Sequence, residues 1–85
     1  MPDAMLNITH QGLSADVTIQ VEPEVRDDDI RRIAAELIAS GEVPGLPGAP
    51  IGPHAFAHFV VDRFKTRRGG LQFYVRPKVP FGGVV

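Results

Sequence analysis

Apolar and polar residues alternate in two short segments near the start of the chain, and such alternation is typical of half-buried β-strands. The first segment is residues 6–9 (LNIT) and the second is residues 17–21 (VTIQV). A Gln-Gly pair between them supplies turn residues. The pattern predicts a β-hairpin over residues 5–22, with a loop of about six residues between its strands. Pro23 ends the second strand, because proline has no N–H group to donate to a strand ladder.

Helical periodicity replaces the alternation in residues 28–40, where apolar side chains recur every three or four positions. Gly41 follows at the position where a left-handed C-cap is common. The pattern therefore predicts a helix whose apolar stripe packs on a sheet. The stripe consists of Ile30, Ile33, Ala34, Leu37 and Ile38. The expected sheet side of the core consists of Leu6, Ile8, Val17, Ile19, Val21, Phe73 and Val75.

The start of this helix is acidic. Asp27, Asp28 and Asp29 are N-cap candidates, and they place negative charge where the helix dipole favours it. The pairs Asp27/Arg31 and Asp28/Arg32 have the i, i+4 spacing of ion pairs on an exposed helix face. We therefore explain the three aspartates by the helix start and not by a cation site.

A long proline- and glycine-rich segment follows the helix. Residues 42–53 contain four prolines and three glycines, a composition that is unfavourable for both helix and strand. A long loop in so small a protein needs contacts with the rest of the chain. We expect Leu46 and Ile51 to attach this loop to the core.

Residues 54–64 (HAFAHFVVDRF) fit two interpretations. A helix beginning at Pro53 would align four apolar side chains, namely Phe56, Phe59, Val60 and Phe64. A strand over residues 59–64, a turn over 65–70 and a strand over 71–76 would form a second hairpin. We prefer the hairpin, because the segment is rich in Phe, Val and Tyr and an Arg-Arg-Gly-Gly turn follows it.

The order of elements predicts an α+β fold in which one helix covers one face of a four-stranded sheet. The 85 residues are enough for one core and not for two, so we expect a single domain over residues 1–85. Pro77 and Pro80 interrupt regular structure and leave a short C-terminal tail over residues 77–85.

Composition narrows the possible chemistry. The chain has no cysteine, which excludes disulfides and cysteine-ligated zinc, and its net charge of −1 is unlike that of most nucleic-acid binders. His54 and His58 have helical i, i+4 spacing but no evident third ligand, so we expect no metal and no cofactor.

No nucleophile has an acid–base partner nearby in sequence, so we expect no enzymatic activity. The absence of a signal-peptide pattern and of a long apolar stretch favours a cytoplasmic protein without a membrane segment.

Residues 16–23 (DVTIQVEP) resemble the second strand of the ubiquitin-like β-grasp proteins, which also runs into a Val-Glu-Pro corner. An acidic stretch, an amphipathic helix, two further strands and a tail with Gly82-Gly83 follow in the same order as in that family. The resemblance extends over residues 4–83 and is most specific over residues 16–38. It implies a two-layer ββαββ β-grasp domain with a mixed sheet packed on one helix.

The same resemblance implies a function for the tail. Ubiquitin-like modifiers and related sulfur carriers present a Gly-Gly terminus whose carboxylate is adenylated and then transferred. Gly82 and Gly83 would be the matching pair, and Val84-Val85 resembles a short extension that a protease removes from some precursors. The implied partners are other proteins, including an activating enzyme or a protease. The alternative is a non-enzymatic structural or adaptor subunit of a larger assembly, such as a phage particle, whose partners would be its assembly neighbours.

Basic and aromatic residues mark a second candidate site around the predicted last hairpin. We take Arg67, Arg68, Tyr74, Arg76 and Lys78 as a candidate binding surface. Basic residues interleaved with aromatics can bind single-stranded nucleic acid. Because the first half of the chain is acidic, we expect a protein partner with an acidic face instead.

Overall fold

A computed structural model describes residues 3–78 of the chain, in which one helix packs on a four-stranded mixed sheet. The elements in chain order are β1 (Asp3–His10), β2 (Leu13–Gln20), α1 (Asp27–Ser40), β3 (Val60–Lys65) and β4 (Leu71–Arg76). The strands are ordered β2-β1-β4-β3 across the sheet. The central strands β1 and β4 are parallel, and each edge strand is antiparallel to its neighbour. The predicted α+β class is confirmed.

The first hairpin is tighter than the sequence pattern predicts. Strands β1 and β2 pair without interruption from Asp3↔Gln20 to His10↔Leu13, so only Gln11 and Gly12 form the turn. Both turn residues have positive φ angles, 53° and 80°, as the two-residue turns that match the twist of a hairpin require. The prediction of a six-residue loop was wrong, because the apolar–polar alternation of the second strand already begins at Leu13 and Ala15, four residues before Val17.

The predicted helix is confirmed, but its start differs from the expectation. Arg26 occupies the N-cap position without a side-chain cap hydrogen bond, and the three aspartates lie in the first turn. The predicted aspartate N-cap was therefore wrong. The aspartates still lie where the helix dipole favours negative charge.

The ion pairs at the start of the helix have a different spacing from the predicted one. Arg31 pairs with Asp28 at 2.7 Å and Arg32 pairs with Asp29 at 2.8 Å, so both pairs are i, i+3. Asp27 binds Arg63 of β3 at 2.7 Å. The i, i+4 prediction was wrong, because Asp27 pairs with the sheet residue Arg63. Each helix arginine pairs instead with the aspartate three positions before it.

Gly41 ends the helix as predicted, in the left-handed conformation with φ 74°. Its N–H donates to the carbonyl of Ile38, and the N–H of Glu42 donates to the carbonyl of Leu37. This pair of bonds is the Schellman pattern, which satisfies carbonyls at the end of a helix.

The long loop after the helix is attached to the core by apolar side chains. Val43 and Leu46 are buried, and Ile51 is partly buried against the core, so the predicted role of Leu46 and Ile51 is confirmed. Gly45 lies beside Ala15, so the loop reaches strand β2. The loop therefore contacts β2, an edge strand that has few contacts with the helix.

The loop also returns to the end of the helix at Gly48. The N–H of Ala49 donates to the carbonyl of Ile38 at 3.3 Å, and a Cβ placed on Gly48 would lie 3.0 Å from the Cα of Gly41. Since Gly41 is held in the Schellman pattern, its backbone has little freedom to move away. Gly48 is thus a point of close approach between loop and helix.

We expect Gly48→Ala to lower the free energy of unfolding by about 1–3 kcal/mol, the usual cost of overpacking. Gly52→Ala is the matched control, because a Cβ there meets nothing within 4 Å and the residue lies outside the left-handed region. Urea titrations of both variants measure the difference. Equal stability of the two variants would show that the close approach at Gly48 is wrong.

The core lies between the helix, the sheet and the loop. From the helix it takes Ile30, Ala34, Ala35 and Ile38, and from the central strands Ala4, Leu6, Ile8, Phe73 and Val75. Val17, Ile19, Ile33 and Leu37 are only partly buried, although the sequence pattern places them with the core residues. They lie at the margin of the core, because one helix is too narrow to cover a whole sheet.

The segment before β3 forms turns and not the alternative helix. Residues 53–58 are turns, and β3 covers Val60–Lys65 where the pattern predicts a strand over residues 59–64. Phe56 is buried within these turns, with its ring 5.6 Å from that of His10 and 4.5 Å from that of Phe59. The predicted strand over residues 71–76 is confirmed as β4.

Candidate functional site

The helix covers one face of the sheet, and the opposite face of strands β3 and β4 carries aromatic and charged side chains. Since Phe73 and Val75 point into the core, their neighbours on β4 point the other way. Five residues line a shallow recess on this side, which we call the aromatic face: Asp62, Phe64, Gln72, Tyr74 and Arg76.

Two aromatic rings form the centre of the aromatic face. Phe64 and Tyr74 are 5.6 Å apart between ring centroids, with an angle of 81° between their planes, which is the edge-to-face geometry. The side-chain amide of Gln72 donates to the Tyr74 hydroxyl at 3.0 Å and so orients the ring. Phe64 is 54% exposed, more than Met5 and Leu13, the other exposed large apolar side chains of residues 3–78. An exposed, oriented aromatic pair is typical of protein-binding surfaces.

An ion pair borders the rings. Two nitrogens of Arg76, Nε and a terminal one, each lie 2.9 Å from the same carboxylate oxygen of Asp62 across the β3–β4 pair. Both side chains are partly exposed, so the pair contributes little to stability. It does hold the Arg76 guanidinium beside Asp62, and it compensates the charge of that arginine.

The structure does not bring the predicted basic surface together. Tyr74 and Arg76 lie on the aromatic face, whereas Arg67 and Arg68 lie in the turn that precedes β4. Arg76 lies five residue steps along an extended strand from Leu71, a distance of about 16 Å. Lys78 follows β4 and lines a different recess, beside Asp27 and Arg31 of the helix. Gly82 and Gly83 lie outside the described residues.

Three members of the aromatic face were absent from the predicted surface, namely Asp62, Phe64 and Gln72. The sequence pattern placed Phe64 only as an apolar position of the alternative helix or as the last residue of the predicted strand. The alternation within β3 contains the signal, since Val60, Asp62 and Phe64 share one face once the strand is chosen. Which face of an edge strand meets solvent depends on the position of the helix, so it was not readable from this segment alone.

Arg63 on the helix side of β3 has a structural role. It donates to the carbonyl of Val25 and to the carboxylate of Asp27, both at 2.7 Å, and its guanidinium lies 5.3 Å from the ring centroid of Phe73. On the same side Arg31 donates to the carbonyl of Phe59 at 2.8 Å. The two arginines therefore join the start of the helix to β3 and to the segment before it.

The histidines do not assemble into a metal site. His54 and His58 lie in turns and not on a helix, and no group of three His, Asp or Glu within residues 3–78 is placed to hold a metal ion. His10 has a buried Nε2 atom without a hydrogen-bond partner among the described residues, and its ring packs against Phe56. Within the described range no helix is both long and apolar enough to cross a membrane.

Comparison with family models, with curated proteins and with solved structures finds no match for this chain.

Proposed function

We propose that the chain is a ubiquitin-like β-grasp protein that acts on other proteins as a modifier, a carrier or a binding module. The observation that carries the proposal is the position of β4. It lies in the middle of the sheet, parallel to β1, after a hairpin and a helix in that order. The resemblance of residues 16–38 to that family in sequence predicts the same order of elements.

Strand β4 is also the last strand of the described residues, so the C-terminal tail follows directly from the middle of the sheet. The chain leaves the sheet at Arg76, and Gly82-Gly83 follows six positions later in the sequence. A glycine pair suits passage through a narrow enzyme channel, because glycine has no side chain and tolerates positive φ. Removal of Val84-Val85 would free the Gly83 carboxylate for adenylation and acyl transfer. The aromatic face offers the activating enzyme, or another partner, an exposed surface on the folded domain.

The first test expresses the tagged protein in its native host, together with the genes that lie beside its own gene. We expect it to form covalent adducts of higher mass. These adducts should disappear with Gly83→Ala and with truncation before Gly82, since the acyl bond forms at the Gly83 carboxylate. Gly52→Ala is the control for a glycine-to-alanine change, because it places a methyl group in open space. Adducts that persist with Gly83→Ala would contradict conjugation at this residue.

A second candidate is a non-enzymatic structural or adaptor subunit of a larger assembly. The two edge strands β2 and β3 favour it, because edge strands present backbone groups with which another chain can pair. The two functions differ in the tail. A subunit of this kind would be recovered from a large particle with Val85 in place and without adducts.

A further inference from the structure

Strand β3 is an edge of the sheet, and the hydrogen bonds of its hairpin identify the backbone groups that point outward. The N–H of Thr66 donates to the carbonyl of Gly70 at 2.8 Å, so this pair is of the hydrogen-bonded kind. Bonded and non-bonded pairs alternate along an antiparallel ladder. Val61, Arg63 and Lys65 therefore belong to non-bonded pairs with β4, and their N–H and C=O groups point away from the sheet.

The side chains at this edge combine one apolar contact with uncompensated positive charge. Phe64 is more than half exposed at the edge, beside Tyr74. Arg63 and Arg76 are compensated by Asp27 and Asp62. Within residues 3–78, by contrast, no carboxylate pairs with the basic residues at the end of β3 and in its turn, which are Lys65, Arg67 and Arg68.

The charge of this part of the chain is strongly one-sided. Residues 60–78 contain six basic residues and one acidic residue, whereas the whole chain has a net charge of −1. The basic residues are therefore concentrated in the second hairpin and the stretch after it. Complementary charge mainly determines which partner an interface accepts and how fast the partner arrives.

We propose that β3 accepts an extended acidic segment of a partner protein as an additional strand of the sheet. The backbone of that segment pairs with Val61, Arg63 and Lys65, as in strand addition to a sheet edge. An apolar side chain of the segment covers Phe64, and its acidic residues lie beside Lys65 and the Arg67-Arg68 turn. This surface rests on the proposed role in protein binding but does not depend on conjugation through Gly83.

The same features oppose other occupants. A second copy of β3 would bring like charges together, and lysine at a sheet edge is a common protection against such pairing. Nucleic acid would satisfy the charges, but its backbone does not provide the alternating donors and acceptors that Val61, Arg63 and Lys65 require. An acidic peptide satisfies both requirements.

The test uses a fluorescent synthetic peptide in which Glu alternates with Val and Phe, and the same peptide with Lys in place of Glu. We expect fluorescence anisotropy at low salt to show binding of the acidic peptide and none of the basic one. Arg67→Glu/Arg68→Glu should weaken binding at least tenfold. Arg26→Glu/Arg32→Glu makes the same change in net charge on exposed helix residues and should have a much smaller effect.

Two variants at Lys65 distinguish strand addition from simple charge attraction. Lys65→Gln removes the charge and keeps the outward N–H, whereas Lys65→Pro removes both, and proline is tolerated where an edge N–H faces solvent. We expect the proline variant to bind severalfold more weakly than the glutamine variant, with circular dichroism confirming that both are folded. Amide shifts in NMR spectra should centre on Val61, Arg63 and Lys65.

Four results would overturn the β3 surface. The first is equal binding of the acidic and basic peptides, and the second is amide shifts that centre on β2. The third is a single-stranded oligonucleotide that competes for Arg67 and Arg68 and binds more tightly than the acidic peptide. The fourth is a dimer in light scattering that dissociates with Lys65→Pro and persists with Lys65→Gln, which would assign the edge to a second copy instead. None of these results bears on adduct formation, so the β3 surface and conjugation fail independently.

Discussion

Phe56→Ala should lower the free energy of unfolding by about 3–5 kcal/mol, the usual cost of removing a buried phenylalanine ring. Phe56 is 2% exposed and packs against the rings of His10 and Phe59. It also fixes a turn segment that has no helix or strand of its own. The variant therefore loses apolar burial and the contact that attaches this segment to the core. The loss is a large part of the free energy of unfolding expected for a domain of this size.

The matched control for Phe56 is Phe64→Ala, the same substitution at a ring that is 54% exposed. We expect it to cost about 1 kcal/mol or less, since it loses little burial and one edge-to-face contact with Tyr74. Denaturant titrations of the two variants under identical conditions give the comparison. A loss for Phe64→Ala equal to that for Phe56→Ala would contradict the assignment of inner and outer faces.

The second large effect concerns two neighbouring positions of the helix. Ile38 is 1% exposed, whereas Leu37 is only partly buried. Ile38→Ala should cost about 2–5 kcal/mol. Leu37→Ala should cost clearly less, because its side chain retains contact with solvent in the folded state and leaves a smaller cavity. The same order of stabilities is expected in urea and in thermal unfolding, and the reverse order would mean that the helix is rotated about its axis.

The regular elements were predictable because their signals are local. The apolar stripe of the helix and Gly41 predicted α1, and alternation predicted the first hairpin. The tight turn at Gln11-Gly12 was missed, because the prediction began the second strand at Val17, although Leu13 and Ala15 continue the same alternation toward the turn. The i, i+4 ion pairs were also missed, because Asp27 binds Arg63, which is 36 positions away in the sequence.

The candidate site was less predictable than the fold, because its composition depends on strand register and strand order. Tyr74 and Arg76 were identified from their residue types. The cross-strand neighbours Phe64 and Asp62 enter the aromatic face only through the antiparallel pairing of β3 with β4. For the same reason Arg67 and Arg68, which are close to Arg76 in sequence, lie at the far end of β4. Residues that are only a few positions apart in sequence can therefore be far apart in space when the chain between them is extended.

The central proposal is the modifier role, in which the chain is attached to other proteins through Gly83, and tryptic mass spectrometry of material from its own cells tests this role most directly. Trypsin cleaves after Lys78, so a conjugate should leave residues 79–83 (VPFGG) joined through the Gly83 carbonyl to a nucleophilic side chain of another protein. We predict this branched peptide, together with free chain that ends at Gly83. Recovery of only the linear peptide 79–85, with Val84-Val85 intact and no branched product, would contradict the claim.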